Sequence, residues 1–178
     1  FTGRWRKQCV RAISLKPDSV VLDVMAGMGE LTPTIAKSVE RGRIIGLDIS
    51  SEMCKRARDQ KLKNAVQYDV IEGDILKCPL EDNSVDYVYS SFGIKTFNTD
   101  QLKAIADQIH RVLKPGGEFS FIEVSVPPNF LLRSTYLFYL TYIIPLLGRI
   151  FLGNPKNYRL LGVYTKLFGT CEQAINIF

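Results

Sequence analysis

"VLDVMAGMGE", Val21 to Glu30, is a short apolar run that opens into a loop with two glycines and a closing carboxylate. Pro17 and Asp18 make a turn just before the run. After the loop, "ELTPTIAKSV" has helical spacing with Pro33 in its first turn, where a missing N–H is tolerated. Strand, glycine-rich turn, helix is the opening unit of a parallel α/β sheet, and its loop falls at the carboxyl edge where such sheets take ligands. A tight turn with no ligand also uses glycines, so Gly27-x-Gly29 alone does not distinguish the two readings.

Four more strand-like runs follow: "RIIGLDI" (43–49), "VQYDVIEGD" (66–74), "VDYVYSSF" (85–92) and "GEFSFIEVS" (117–125), after the first over 19–25. Helical patterns separate most of them. "SSEMCKRARDQKL" starts at a serine cap with a carboxylate close behind. "TDQLKAIADQIHRVL" places Leu102, Ile105, Ala106, Ile109 and Leu113 on one stripe and should stop at Pro115-Gly116-Gly117. Alternation of β and α at these spacings implies right-handed crossovers and an α/β fold with a central, mostly parallel sheet. Before the first strand, Gly3 to Leu15 reads as a basic amphipathic helix. Trp5, Cys9 and Ala12/Ile13 share its apolar face, and Arg4, Arg6, Lys7 and Arg11 lie mostly elsewhere.

With 178 residues, 46% of them hydrophobic, the chain can build one domain with a substantial core. The expected division of 1–178 is an N-terminal helix (1–16), a ligand-binding core (17–126) and a helical cover (127–178). A net charge of +5 favours anionic partners or simply solubility. The four cysteines form no C-x-x-C pair and have no histidine at zinc spacing, so no metal is expected and a reducing compartment such as the cytoplasm is the simpler reading. "FTGRWRKQCV" has no signal-peptide run and reads as starting inside a longer chain. Residues 134–148, "STYLFYLTYIIPLLG", carry no charge. They are too short for a membrane span and are interrupted by Pro145. They read as helices covering the sheet, or as an apolar wall or membrane-facing surface.

The carboxylates narrow the ligand. A dinucleotide fingerprint needs a third glycine where Thr32 stands, and a P-loop needs Gly-Lys-Ser/Thr, which is absent. Asp23 and Glu30 flank the loop and repel phosphate, but they suit a cation or a hydroxyl. Asp48 ends the second strand about 20 residues past the glycines, where an acid accepts from both ribose hydroxyls. In "EGDI" (72–75), Asp74 can accept from an adenine amino group, and the Ile75 amide can donate to a ring nitrogen. A cationic nucleoside without phosphate, S-adenosylmethionine, fits this set best.

"VLDVMAGMGE", "GLDIS", "EGDI", "SFGIK" and "RVLKPGG", in that order, resemble class I S-adenosylmethionine-dependent methyltransferases. "SFGIK" followed by "IEVSVPP" is most similar to the menaquinone/ubiquinone C-methyltransferase family. The resemblance runs from about Trp5 to about Tyr158. It implies a Rossmann-like sheet with helices on both faces. In the family the sheet has seven strands, closing in a C-terminal hairpin; five are legible here, so the end reads as missing or diverged. Gly27, Met28 and Gly29 would line the methionine part of the cofactor, Asp48 would hold the ribose, and Asp74 and Ile75 the adenine. Ser91 would sit beside the cofactor, with Asp23, Ala26, Ile49, Met53 and Phe92 completing the lining. The basic residue after Phe-Gly-Ile, Lys95, would help at the acceptor.

Met25, Ala26 and Met28 depart from the family's Ala, Gly and Thr, and Lys95-Thr96 replaces Arg-Asn. These changes bear mainly on the acceptor. The expected reaction is carbon methylation of a demethylated quinol or a related lipophilic small molecule, yielding S-adenosylhomocysteine. The alternatives are methylation of another small molecule, or cofactor binding without turnover. His110, at the end of a backing helix, reads as structural. "PPN" (127–129) reverses the order of the nucleobase amino-methylase motif and follows the wrong strand, so nucleic acid is disfavoured. The runs Arg4–Arg11 and Lys55–Lys63 read as solvated faces or as contacts to an anionic membrane surface, which would suit a polyprenylated acceptor running past Tyr136 to Leu147. Oligomeric state is left open.

Overall fold

The computed structural model describes residues 2–60, 62, 66–146 and 156–178. They group into two compact units, Phe1–Gly93 with Lys103–Ile122, and Ile94–Leu102 with Glu123–Phe178.

The first unit is built on β1 (Val20–Val24), β2 (Arg43–Asp48), β3 (Gln67–Glu72), β4 (Val85–Ser91) and β5 (Leu113–Ile122). Their order is β3-β2-β1-β4-β5, and every pairing is parallel. The chain winds outward from β1 to β3, then restarts on the other side at β4. The switch point therefore lies between β1 and β4, at the loop that opened the sequence. Val21, Leu22, Asp23 and Val24 are all buried, and since alternate residues point to opposite faces, both faces of β1 are covered. Val21, Ile44, Tyr87 and Tyr89 pack on one side with Cys9 and Val10 of α1 (Thr2–Arg11), with Ile13 just after it, and with Ile35 of α2 (Thr32–Ile35). Helix α3 (Ser51–Arg58) packs against β2 and β3. Its cap is Ser50, whose hydroxyl accepts from the Met53 amide at 3.4 Å. Leu102, Ile105 and Ile109 form the buried stripe of α4 (Thr99–Val112), as the spacing predicts.

Several boundaries differ from the sequence reading. Helix α1 ends at Arg11, short of Leu15, and α2 keeps a single turn. Strand β5 starts at Leu113, so Pro115-Gly116-Gly117 lies inside the strand instead of ahead of it. Val85 pairs with Leu113 and Tyr87 with Glu118, so the extra residues of β5 bulge out between the two pairings. Gly117 is required there, because a Cβ would meet the Asp86 carbonyl oxygen at 2.9 Å. Among the described residues the sheet has these five strands, and no expected hairpin strand follows.

The second unit carries α5 (Phe130–Phe138), a π turn (Tyr139–Ile143), α6 (Lys156–Phe168) and α7 (Glu172–Ile177). Helix α6 packs on the π turn and on the 3-10 turn Ile94–Thr96. "PPN" has a structural use: Asn129 caps α5, its Oδ1 accepting from the Leu131 and Leu132 amides at 3.0 and 3.3 Å. Residues 147 and 148 of the uncharged tail, and Lys61 and Lys63 of the second basic run, lie outside the described residues. Among the described residues, no helix is long and apolar enough to cross a membrane.

Candidate functional site

The loop after β1 is fixed by Asp48. One of its carboxylate oxygens accepts from the Gly27 amide at 2.8 Å and the other from the Ser50 amide at 2.9 Å, tying the end of β2 to the glycine turn and to the cap of α3. Ionised carboxylate oxygens hold further lone pairs, so ribose hydroxyls can be accepted without undoing these bonds. Ala26 is buried, and its amide donates to the Leu47 carbonyl at 3.0 Å. Gly29 has φ +72°, and a Cβ there would sit 2.7 Å from the Tyr68 hydroxyl, so the turn closes directly on β3. The Met28 carbonyl accepts from Gln60 Nε2 at 2.8 Å, and its sulfur lies 3.6 Å from Arg56 Nη1. Met25 takes φ 56°, and Gly93 lies so close to it that a Cβ on Gly93 would be 2.7 Å from that of Met25.

Asp23 is 1% exposed, and neither carboxylate oxygen has a hydrogen-bond partner. Burial pushes its pKa up to about 8; Arg6 pulls the other way, while Asp48 and Glu30 add to the rise. A buried carboxyl left without partners costs free energy that a ligand donor or cation recovers. Ile49, just after Asp48, is 71% exposed, an apolar surface at the strand end where a base can lie. Asp74 accepts from the Leu76 amide at 2.9 Å and caps the 3-10 turn that buries Ile75. Met53 is half-buried in the first turn of α3. Ser91 ends β4 opposite Ile122, and Phe92 follows with φ 65°. All twelve expected cofactor-lining residues fall in the first unit: Met53 in the first turn of α3, and the others on the loop or at and just beyond the carboxyl ends of β1, β2, β3 and β4.

Lys95 falls in the second unit. It is buried and paired, its Nζ 2.9 Å from Glu123 Oε1, while its amide donates to Glu123 Oε2 at 3.1 Å. Lys95 also lines a cavity of about 390 Å³, with Phe97, Thr99, Tyr164, Phe168 and Gln173 among its other walls. His110 is exposed in the last turn of α4, where a basic residue complements the helix dipole.

Two residues escaped the sequence reading. Glu123 stood in "IEVSVPP", where nothing local marks it as the partner of Lys95. The spacing of the basic run puts Arg6 off the apolar face of α1, but its side chain is 14% exposed and pairs with Glu30. Arg6, Val10 and Ile13 are spaced i, i+4, i+7, which was the available signal. Trp5, expected on the buried stripe, is 41% exposed, with its ring centroid 6.3 Å from that of Phe92.

Acids at the ends of three successive strands, around a glycine turn at the switch point of a parallel sheet, fit a class I S-adenosylmethionine-dependent methyltransferase. The chain belongs to the ubiE/COQ5 methyltransferase family, whose profile matches residues 2–177. It is 33% identical over 177 residues to the demethylmenaquinone methyltransferase of Bacillus cereus (strain ATCC 10987 / NRS 248), covering 98% of this chain and 73% of that one. A solved S-adenosylmethionine-dependent methyltransferase from Aquifex aeolicus is 27% identical with a TM-score of 0.60, over 70% of this chain and 66% of that one. Haemonchus contortus phosphoethanolamine N-methyltransferase 1, solved with phosphoethanolamine and S-adenosylhomocysteine, shares the fold: TM-score 0.60 and 16% identity, over 71% of this chain and 27% of that one. The cofactor is S-adenosylmethionine. The unpartnered Asp23 carboxyl and the acids around the loop fit a cationic donor.

Proposed function

We propose that this methyltransferase acts on a ring carbon of a demethylated quinol of the menaquinone or ubiquinone type, with the twelve residues above lining the donor site. The observation that carries the acceptor assignment is the cavity of about 390 Å³ with Lys95 among its aromatic and polar lining residues. That volume falls within the range of small-molecule sites. The name of the Bacillus cereus relative supports the same acceptor class.

The donor supplies an electrophilic methyl on a sulfonium sulfur. A quinol carbon becomes nucleophilic enough when a ring hydroxyl gives its proton to water, and Lys95 stabilises the resulting phenolate by charge. Glu123 holds Lys95 in place. The carbon–methyl bond forms as the sulfur–methyl bond breaks, and the ring then loses its C–H proton to solvent, leaving S-adenosylhomocysteine as the other product. The polyprenyl tail lies along the exposed Phe130, Leu131, Phe138 and Tyr142 of α5 and the π turn, a surface suited to a lipid boundary.

The test is turnover of demethylmenaquinol by Lys95→Met/Glu123→Gln. This pair of changes avoids stranding a buried charge, which costs about 3–5 kcal/mol when one partner alone is removed. Turnover falls by about 100-fold or more with donor affinity retained. Unchanged turnover would sink the role of Lys95. Methylation of phenols, but not of quinols, by the wild type favours the second reading, another small-molecule acceptor, to which the Lys95-Thr96 departure also points.

A further inference from the structure

Arg4, Lys7 and Arg11 of α1 are exposed; Arg6 is turned inward. Its Nη2 donates to Glu30 Oε2 at 2.5 Å, and its guanidinium carbon lies 5.3 Å from the centroid of the Phe92 ring. Its Nε is buried and has no hydrogen-bond partner, the same condition as both oxygens of Asp23. A buried guanidinium donor and a buried carboxyl, neither with a partner, thus stand at the ends of β4 and β1. Each costs free energy unless a ligand completes it.

The methionine end of the donor is a zwitterion. Asp23, Glu30 and Asp48 suit its ammonium and sulfonium charges and the ribose hydroxyls, but the ionised Glu30 and Asp48 repel its carboxylate. A cation is needed beside them, and a planar guanidinium matches a carboxylate with two parallel bonds. We propose that Arg6 binds the α-carboxylate of the methyl donor, with Glu30 fixing one arm of its fork and Phe92 flooring its plane. Helix α1 is then part of the donor site, and the basic run at its start is divided: one residue serves the ligand and the others face outward. The proposal rests on the donor assignment.

Calorimetry with S-adenosylmethionine and with its decarboxylated analogue tests it. The wild type prefers the carboxylate-bearing ligand by about tenfold or more, the scale of a charge-assisted pair. In Arg6→Met the preference for the carboxylate-bearing ligand collapses toward unity. Arg6→Lys, which keeps the charge and loses the fork, keeps only part of the preference. A wild type that binds both ligands equally overturns the proposal without recourse to any variant, and leaves the donor assignment standing. An Arg6→Met protein that keeps the full preference also overturns it, and Arg6 is then only a clamp on Glu30. A wild type that binds neither ligand overturns the donor assignment as well.

Discussion

Asp23 lies between Gly46 of β2 and Tyr89 of β4 in the pairing register, on a strand covered on both faces. Burial raises its pKa from the ordinary 3.8 to about 8. Below the lower value both the folded and the unfolded chain carry the proton, and the fold has its full stability. As pH rises between the two values, the unfolded chain ionises while the folded one stays neutral, so stability falls by about 1.4 kcal/mol per pH unit. Above about 8 the loss levels off. Asp23→Asn removes this dependence. Urea unfolding at a series of pH values will find the variant more stable than the wild type by a margin that grows from pH ~4 to ~8, and it will bind the donor more weakly. A margin independent of pH would contradict the buried neutral acid. The sequence made Asp23, Asp48 and Asp74 legible as acids at strand ends. It did not make legible that Asp23 is left without partners while both oxygens of Asp48 are engaged, because that depends on which backbone amides the pairing register brings alongside.

At the level of elements, the β1 loop, the end of β2 and the cap of α3 form one hydrogen-bonded unit through Asp48. Gly29 closes it onto Tyr68. Gly29→Ala introduces both a strained φ and a clash, at a cost on the order of 1–3 kcal/mol. Tyr68→Phe removes the oxygen that the new methyl would meet. The double variant therefore regains part of the loss in denaturant unfolding, and strict additivity of the two changes would argue against the contact. Ser50→Ala removes the cap of α3 and costs about 1 kcal/mol, read in the same experiment. The strands were legible from their apolar runs, and α3 and α4 from caps and stripes. Helix α1 was legible as a helix but not in its orientation, since Arg6 on the inward stripe gains its purpose only from Glu30 and Phe92, which are far away in sequence. Lys95 was legible as a candidate, and Glu123, 28 residues away, was not.

For the molecule as a whole, donor binding and folding are linked. A ligand that binds only the folded chain adds about 2.7 kcal/mol at a concentration 100 times its Kd. S-adenosylmethionine will therefore raise the melting temperature in a concentration-dependent way, and hydrogen exchange will slow most in residues 26–30 and 48–50. A chain that melts at the same temperature with and without the donor would contradict the site. The parallel sheet, though not its strand order, was legible at this scale from the alternation of strands and helices; the grouping of Ile94–Leu102 with the C-terminal helices was not, because it follows from long-range packing.

The bulge at Pro115-Gly116-Gly117 reconciles two periods that share no common measure. Helix α4 ends where its own 3.6-residue turn leaves it, whereas β5 must arrive in the phase of a two-residue pleat, with Ser120 facing Cys9, whose carbonyl accepts from the Ser120 hydroxyl at 2.9 Å. The looped-out residues take up the difference like slack between two gears of unequal pitch. Deleting a single residue there would not shorten a loop. It would turn the strand over, sending Phe119 and Phe121 to the side where Ser120 now points. A motif whose glycines and proline read as a helix stop is, in this protein, a phase adjuster inside a strand.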